Sequence, residues 1–81
     1  MPTVFRLEGF RFFFFSNEND EPPHIHVEKA EGAAKFWLHP DVELAWSIRF
    51  RGRDVSKLQA FIEERQVWFL EKWNEHFENE T

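Results

Sequence analysis

The sequence predicts an α+β protein: an antiparallel β-meander of about five strands, packed on one face by a long C-terminal α-helix. Three observations predict it. Up to Arg49, short runs rich in Phe, Val, Ile and Trp alternate with turn residues at Gly9, Glu31-Gly32 and His39-Pro40-Asp41. From Arg53 the apolar period changes, and Val55, Leu58, Ile62, Phe69, Trp73 and Phe77 recur at helical spacings. The chain has 81 residues, and no composition shift divides 1–81 into more than a single domain.

Thr3 to Glu8 and Phe10 to Phe15 are β-rich runs, and Gly9 between them makes either a hairpin or a bent, bulged strand. Ser16 to Pro23 is a polar, acidic loop. Pro23 has no backbone donor, so the third strand can begin only at about His24, and it runs to Lys29. Glu31-Gly32 turns the chain into Ala33 to Leu38, and His39-Pro40-Asp41 turns it again into Val42 to Arg49. The helix can start with Asp54 as its cap or with Ser56 and Gln59 as a capping box, and it frays at Glu78-Asn79-Glu80-Thr81.

Successive strand residues point to opposite faces. Ile25, Val27, Ala34, Phe36, Leu38, Val42, Leu44, Trp46 and Ile48 then form one apolar set, the face that the helix covers. His24, His26, Glu28, Lys35, Trp37, His39, Glu43, Ser47 and Arg49 fall on the other face. Phe61, Trp68 and Leu70 widen the helix stripe, and Trp68 and Trp73 read as core. The run Phe12-Phe13-Phe14-Phe15 puts rings on both faces, so one ring or more covers the outer face or meets a partner chain, a homodimer included.

Eleven Phe and four Trp give a short chain a core of large side chains. Cysteine is absent, which removes Cys-based zinc sites and Cys nucleophiles and favours a reducing compartment. The N-terminus has no basic start followed by an apolar stretch, and the Phe run is far too short to span a bilayer. A cytoplasmic protein with no membrane contact is expected. A net charge of −5 argues against general nucleic-acid binding, although Arg49, Arg51 and Arg53 form a local basic stretch that leaves RNA open.

The chemistry concentrates in Pro22-Pro23-His24-Ile25-His26-Val27. His24 and His26 share a strand face, and Glu28 continues the row, so these three are the candidate metal ligands and a divalent transition metal is the cofactor they admit. His39 is a further ligand if strand pairing brings it near. The same histidines with Arg49 are candidate catalytic groups: one imidazole takes a proton, the other gives one, and an arginine steadies the phosphorane-like charge of RNA cleavage. Pro22, Pro23, Trp37 and Arg51 are candidate binding residues. Against all of these stands a purely architectural role, in which the prolines stiffen a turn-to-strand junction and the histidines satisfy loop backbone.

Taken together, the acidic loop running into Pro22-Pro23-His24-Ile25-His26-Val27, the Ala34-Lys35-Phe36-Trp37-Leu38 and Val42-Glu43-Leu44 strands, and Trp73-Asn74-Glu75 before Phe77 resemble the domain-of-unknown-function 4160 family of small prokaryotic proteins. The likeness covers nearly the whole chain. It departs between Trp46 and Arg51, where Phe50-Arg51-Gly52 replaces a plainer Gly-aromatic turn and leaves the register of the fifth strand open. The resemblance implies genes in two-gene modules like toxin–antitoxin operons, commonly beside the domain-of-unknown-function 2442 family. It therefore implies a small protein partner. The expected function is an intracellular interaction module in such a pair, with an RNA-cleaving toxin using His24 and His26, or a metal-binding regulatory domain, as the alternatives.

Overall fold

The computed structural model describes residues 3–15 and 20–78. Ser16 to Asn19 of the acidic loop, and Asn79-Glu80-Thr81 of the C-terminal end, lie outside the described residues. Five strands follow in order: β1 (Thr3–Leu7), β2 (Phe10–Phe13), β3 (His24–Lys29), β4 (Gly32–Trp37) and β5 (Glu43–Ile48). They form one antiparallel sheet in the order β1-β2-β3-β4-β5, the predicted meander. The helical segment packs against it as two helices, α1 (Gly52–Glu64) and α2 (Gln66–Glu78).

The turns follow backbone chemistry. Leu7 pairs with Phe10, so β1 and β2 form a hairpin through Glu8 and Gly9, with φ of 49° and 90°. Two consecutive positive φ values are the twist-matched geometry of a two-residue hairpin, and glycine takes the second without strain. Lys29 pairs with Gly32, which places the next turn at Ala30 and Glu31 and leaves Gly32 as the first residue of β4. After Trp37 the pairing of β3 and β4 is prolonged by Leu38, whose N–H donates to the Pro23 carbonyl at 2.9 Å. Pro23 thus gives the sheet an acceptor where it has no donor to give.

The helical stretch predicted as one helix breaks at Arg65, where φ is −123° and ψ is 25°. The Arg65 N–H closes on the Ile62 carbonyl at 3.0 Å, and the Phe69 N–H opens the next helix on the Arg65 carbonyl at 2.9 Å. Beside the break, the Gln66 side-chain amide donates to the Leu38 and Pro40 carbonyls at 2.7 and 3.0 Å, tying it to the β4–β5 loop. At the other end, Asp54 contributes from inside the first turn: its carboxylate accepts the Arg51 N–H at 3.3 Å.

Leu58 and Ile62 of α1, and Phe69, Trp73 and Phe77 of α2, form the buried stripe. They close on Phe12, Phe14, Ile25, Val27, Ala34, Phe36, Leu38 and Val42 as one core cluster. Phe12 lies 5.7 Å from the Phe69 ring, and Phe14 lies 5.4 Å from Trp73, so neighbouring turns of α2 seat on alternate residues of the Phe run. Trp68, expected in the core, instead lies at the surface, edge-on to Phe69 and Phe5.

One expectation about faces is overturned. Leu44 pairs with Phe36, but Trp46 pairs with Lys35, so Ala45 is an unpaired bulge residue. An extra residue moves everything after it to the opposite face. Trp46 and Ile48 therefore leave the helix-covered face for the outer face, and Ser47, aligned with Ala34, takes the inner one.

Candidate functional site

The registers arrange the outer face in rows across the sheet. Arg11, Glu28, Ala33 and Ile48 are level in one row, and Phe13, His26, Lys35 and Trp46 in the next. His24, Trp37 and Glu43 make the third. Because the helices pack on the other side, this face has no second layer among the described residues.

His26 is the centre of the second row and only 5% exposed, although no core element covers it. Neighbouring rings bury it. Phe13 stacks on it at 5.6 Å, Phe15 meets it edge-on at 4.5 Å, and Trp46 closes the β5 side at 6.3 Å. The His24 ring lies 5.1 Å away, nearly perpendicular. His24 is itself wholly buried, touching Trp37 on the outer face and Trp73 of α2. Its Nδ1 donates to the Pro22 carbonyl at 2.9 Å. A carbonyl can only accept, so a neutral His24 carries its proton on Nδ1 and keeps Nε2 as the basic nitrogen.

Charged groups surround this aromatic centre. Lys35 donates to Glu21 at 2.6 Å and lies 4.4 Å over the Trp37 ring, joining the segment before β3 to the outer face. Arg11 bonds Glu28 at 3.2 Å and Thr3 at 2.7 Å, with its guanidinium 4.4 Å over Phe13.

The structure brings His24, His26, Trp37, Pro22 and Pro23 together at one end of β3. Glu28 shares their face, but it sits in the far row against Arg11. Among the described residues, no group of three or more His, Asp or Glu side chains could hold a metal ion. Arg49 follows Ile48 at the opposite end of the sheet from His24, which is level with Glu43. Six residues at ~3.3 Å each, less the slack of the bulge, separate them by roughly 15–20 Å. Arg51 lies farther on, at the start of α1.

Phe13, Phe15, Lys35, Glu21 and Trp46 were not among the predicted site residues, yet the three rings enclose His26, Lys35 stands level with it and Glu21 bonds Lys35. Alternation already put Lys35 on that face; a bulge, with no marker in the sequence, put Trp46 there. A separate apolar cavity of about 500 Å³ opens at the helix break, lined by Phe5, Phe61, Trp68 and Phe69 among others, and includes none of the predicted site residues.

The family model described as domain of unknown function (DUF4160) matches residues 9–74, from the first hairpin to the penultimate turns of α2. The chain belongs to the DUF4160 family. The match contains the whole Pro22-Pro23-His24-Ile25-His26 segment and every outer-face residue of β2 to β5. No curated protein and no solved structure matches the chain. As a DUF4160 chain it has, among the described residues, no helix long and apolar enough to cross a membrane.

Proposed function

We propose that this DUF4160 chain is a cytoplasmic interaction module, one partner of a toxin–antitoxin-like two-gene pair, and that it binds a small protein over its outer sheet face. The observation that carries the reading is the exposed apolar surface of that face. Trp46 is 45% and Ile48 is 52% exposed, beside Phe15 and Trp37, on the side of the sheet away from the helices. Aromatic residues that stand partly solvated on a flat, rigid surface are the usual anchors of protein interfaces. The strands that present them are fixed by the core beneath, so little order has to be gained on binding.

The test is co-expression with the neighbouring gene product, followed by co-purification of wild type and of Trp46→Glu. A stable complex with the wild type, lost in the folded variant, is the expected result. Separate elution of the two wild-type proteins overturns the reading.

A second reading, RNA cleavage by His24 and His26, is supported by the adjacency of the two rings and the fixed proton on His24 Nδ1. Arg49 lies three residues beyond Trp46, the β5 residue level with His26, and Lys35, in the same row as His26, is the nearer cation. Induction in a bacterial host that arrests growth for wild type but not for a folded His26→Gln variant supports it; normal growth with both dismisses it.

A further inference from the structure

We infer that the end of the sheet where β1, β3 and β5 finish binds the phosphodiester backbone of a single-stranded nucleic acid, through Arg6, Lys29, Arg49, Arg51 and Arg53. This surface is the far end of the molecule from His24, and it does not rest on the protein-binding reading of the outer face.

The chain is acidic, with fifteen Asp and Glu against ten Lys and Arg. Cations in such an excess of carboxylates find partners easily, and five of the ten have one. Arg6, Lys29, Arg49, Arg51 and Arg53 do not: they form no ion pair among the described residues, and all five are exposed. The topology gathers them. Arg6 stands one residue before the end of β1, Lys29 ends β3, Arg49 follows β5, and Arg51 and Arg53 flank the start of α1. Phe50 seats against Gly32, and beside that seat Arg49 holds a φ of 57°, so the backbone carrying the arginines is fixed by packing. The carboxylates at this end are mostly engaged: Glu8 with Lys57, Glu28 with Arg11, and Asp54 with the Arg51 N–H. Glu31, in the β3–β4 turn, forms no ion pair among the described residues.

The composition of the surface selects the ligand. Protein interfaces bury an apolar centre from which charge is depleted, whereas nucleic-acid backbone is held by surface Arg and Lys and by accessible N–H groups. Here Leu7, Phe10 and Phe50 pack into the core, and Ile48, on the outer face, is the exposed apolar residue at the margin. Between Arg51 and Arg53, nothing lies within 4 Å of where a Gly52 side chain would begin, so a phosphate can approach bare backbone there. From β1 to β5 the cations span four interstrand spacings, about 19 Å. A flexible single strand can lie along that line, while a stiff duplex meets it only where its backbone crosses.

The probe is a fluorescein-labelled oligo-dT of about 20 nucleotides, followed by anisotropy at about 50 mM salt, with an expected Kd of about 1–100 μM. Affinity is expected to fall linearly on a log–log plot as salt rises. Arg49→Gln/Arg51→Gln/Arg53→Gln is expected to weaken binding at least about tenfold and to lower the salt slope by about 2, since ~0.7 of a counterion is released per phosphate contact. Arg6→Gln/Lys29→Gln weakens it from two other strands, and circular dichroism stays that of the wild type in both variants. Lys72→Gln, an equal loss of charge on α2, leaves the affinity unchanged. Polyglutamate at matched charge displaces the oligonucleotide poorly. A wild type that does not bind, or a folded triple variant that binds as tightly, overturns the proposal. So does a loss with Lys72→Gln as large as with Arg53→Gln, or full displacement by polyglutamate, which would mark a surface for acidic protein.

Discussion

At Gly32 a missing side chain makes room for a ring. A Cβ there would come 2.4 Å from the Phe50 ring and 3.0 Å from the Arg49 carbonyl, so glycine is needed for close packing and not for a turn. Phe50 in turn meets Phe10 edge-on at 5.6 Å and seals that corner of the core. Gly32→Ala is therefore expected to lower unfolding free energy by about 1–3 kcal/mol, the usual range for overpacking, as read by urea denaturation. His24 makes the complementary case, a polar ring buried at the end of β3 with its Nδ1 bonded to the Pro22 carbonyl. His24→Ala leaves the Pro22 carbonyl without that donor, and a loss of about 1–3 kcal/mol is expected in the same measurement. Any activity lost with His24→Ala must therefore be judged against a less stable protein, and His26→Gln is the cleaner probe.

The elements show where sequence alternation suffices and where it does not. Thr3 to Leu38 could be read by period alone: Ile25, Val27, Ala34, Phe36 and Leu38 are all buried on the face assigned to them. The same rule placed His24, His26 and Trp37 together, and the registers agree. It misplaces Trp46 and Ile48 because Ala45 is one residue too many, and an alanine in a strand does not announce a bulge. Deleting Ala45 should bring Leu44, Trp46, Ser47 and Ile48 into regular register with β4 while keeping each on its present face. That deletion is expected to remain folded within about 1–2 kcal/mol of wild type. Deleting Ser47 turns Ile48 inward and draws Phe50 off Gly32, and a loss above about 3 kcal/mol is expected. Thermal melts of the two deletions separate the cases. The helix break at Arg65 was hidden for another reason: its stripe of apolar residues continues across it, and Gln66 declares its role only once the β4–β5 loop lies beside it. Gln66→Ala removes both bonds to the loop, and a fall of about 1–3 kcal/mol in unfolding free energy is expected.

For the whole molecule, aromatic volume substitutes for size. Phe12, Phe14, Phe36 and Phe69 are among the largest fully buried side chains, and Phe69 touches Phe12, Phe61 and Trp68. A domain of this size has ~5–15 kcal/mol of stability, and truncating a buried Phe costs about 3–5 kcal/mol. Phe69→Ala is thus expected to consume a large share of it, visible as a marked fall in melting temperature. The tryptophans have a different distribution from the phenylalanines: Trp37 and Trp46 stand on the outer face, Trp68 on the helix side, and Trp73 lies buried against His24. The molecule thereby carries an optical label for each of its surfaces. A partner seated over the outer face would shield Trp37 and Trp46 from acrylamide and shift the summed emission to shorter wavelength while Trp68 stayed quenchable, so the fraction of light left open to quencher reports which side has been covered.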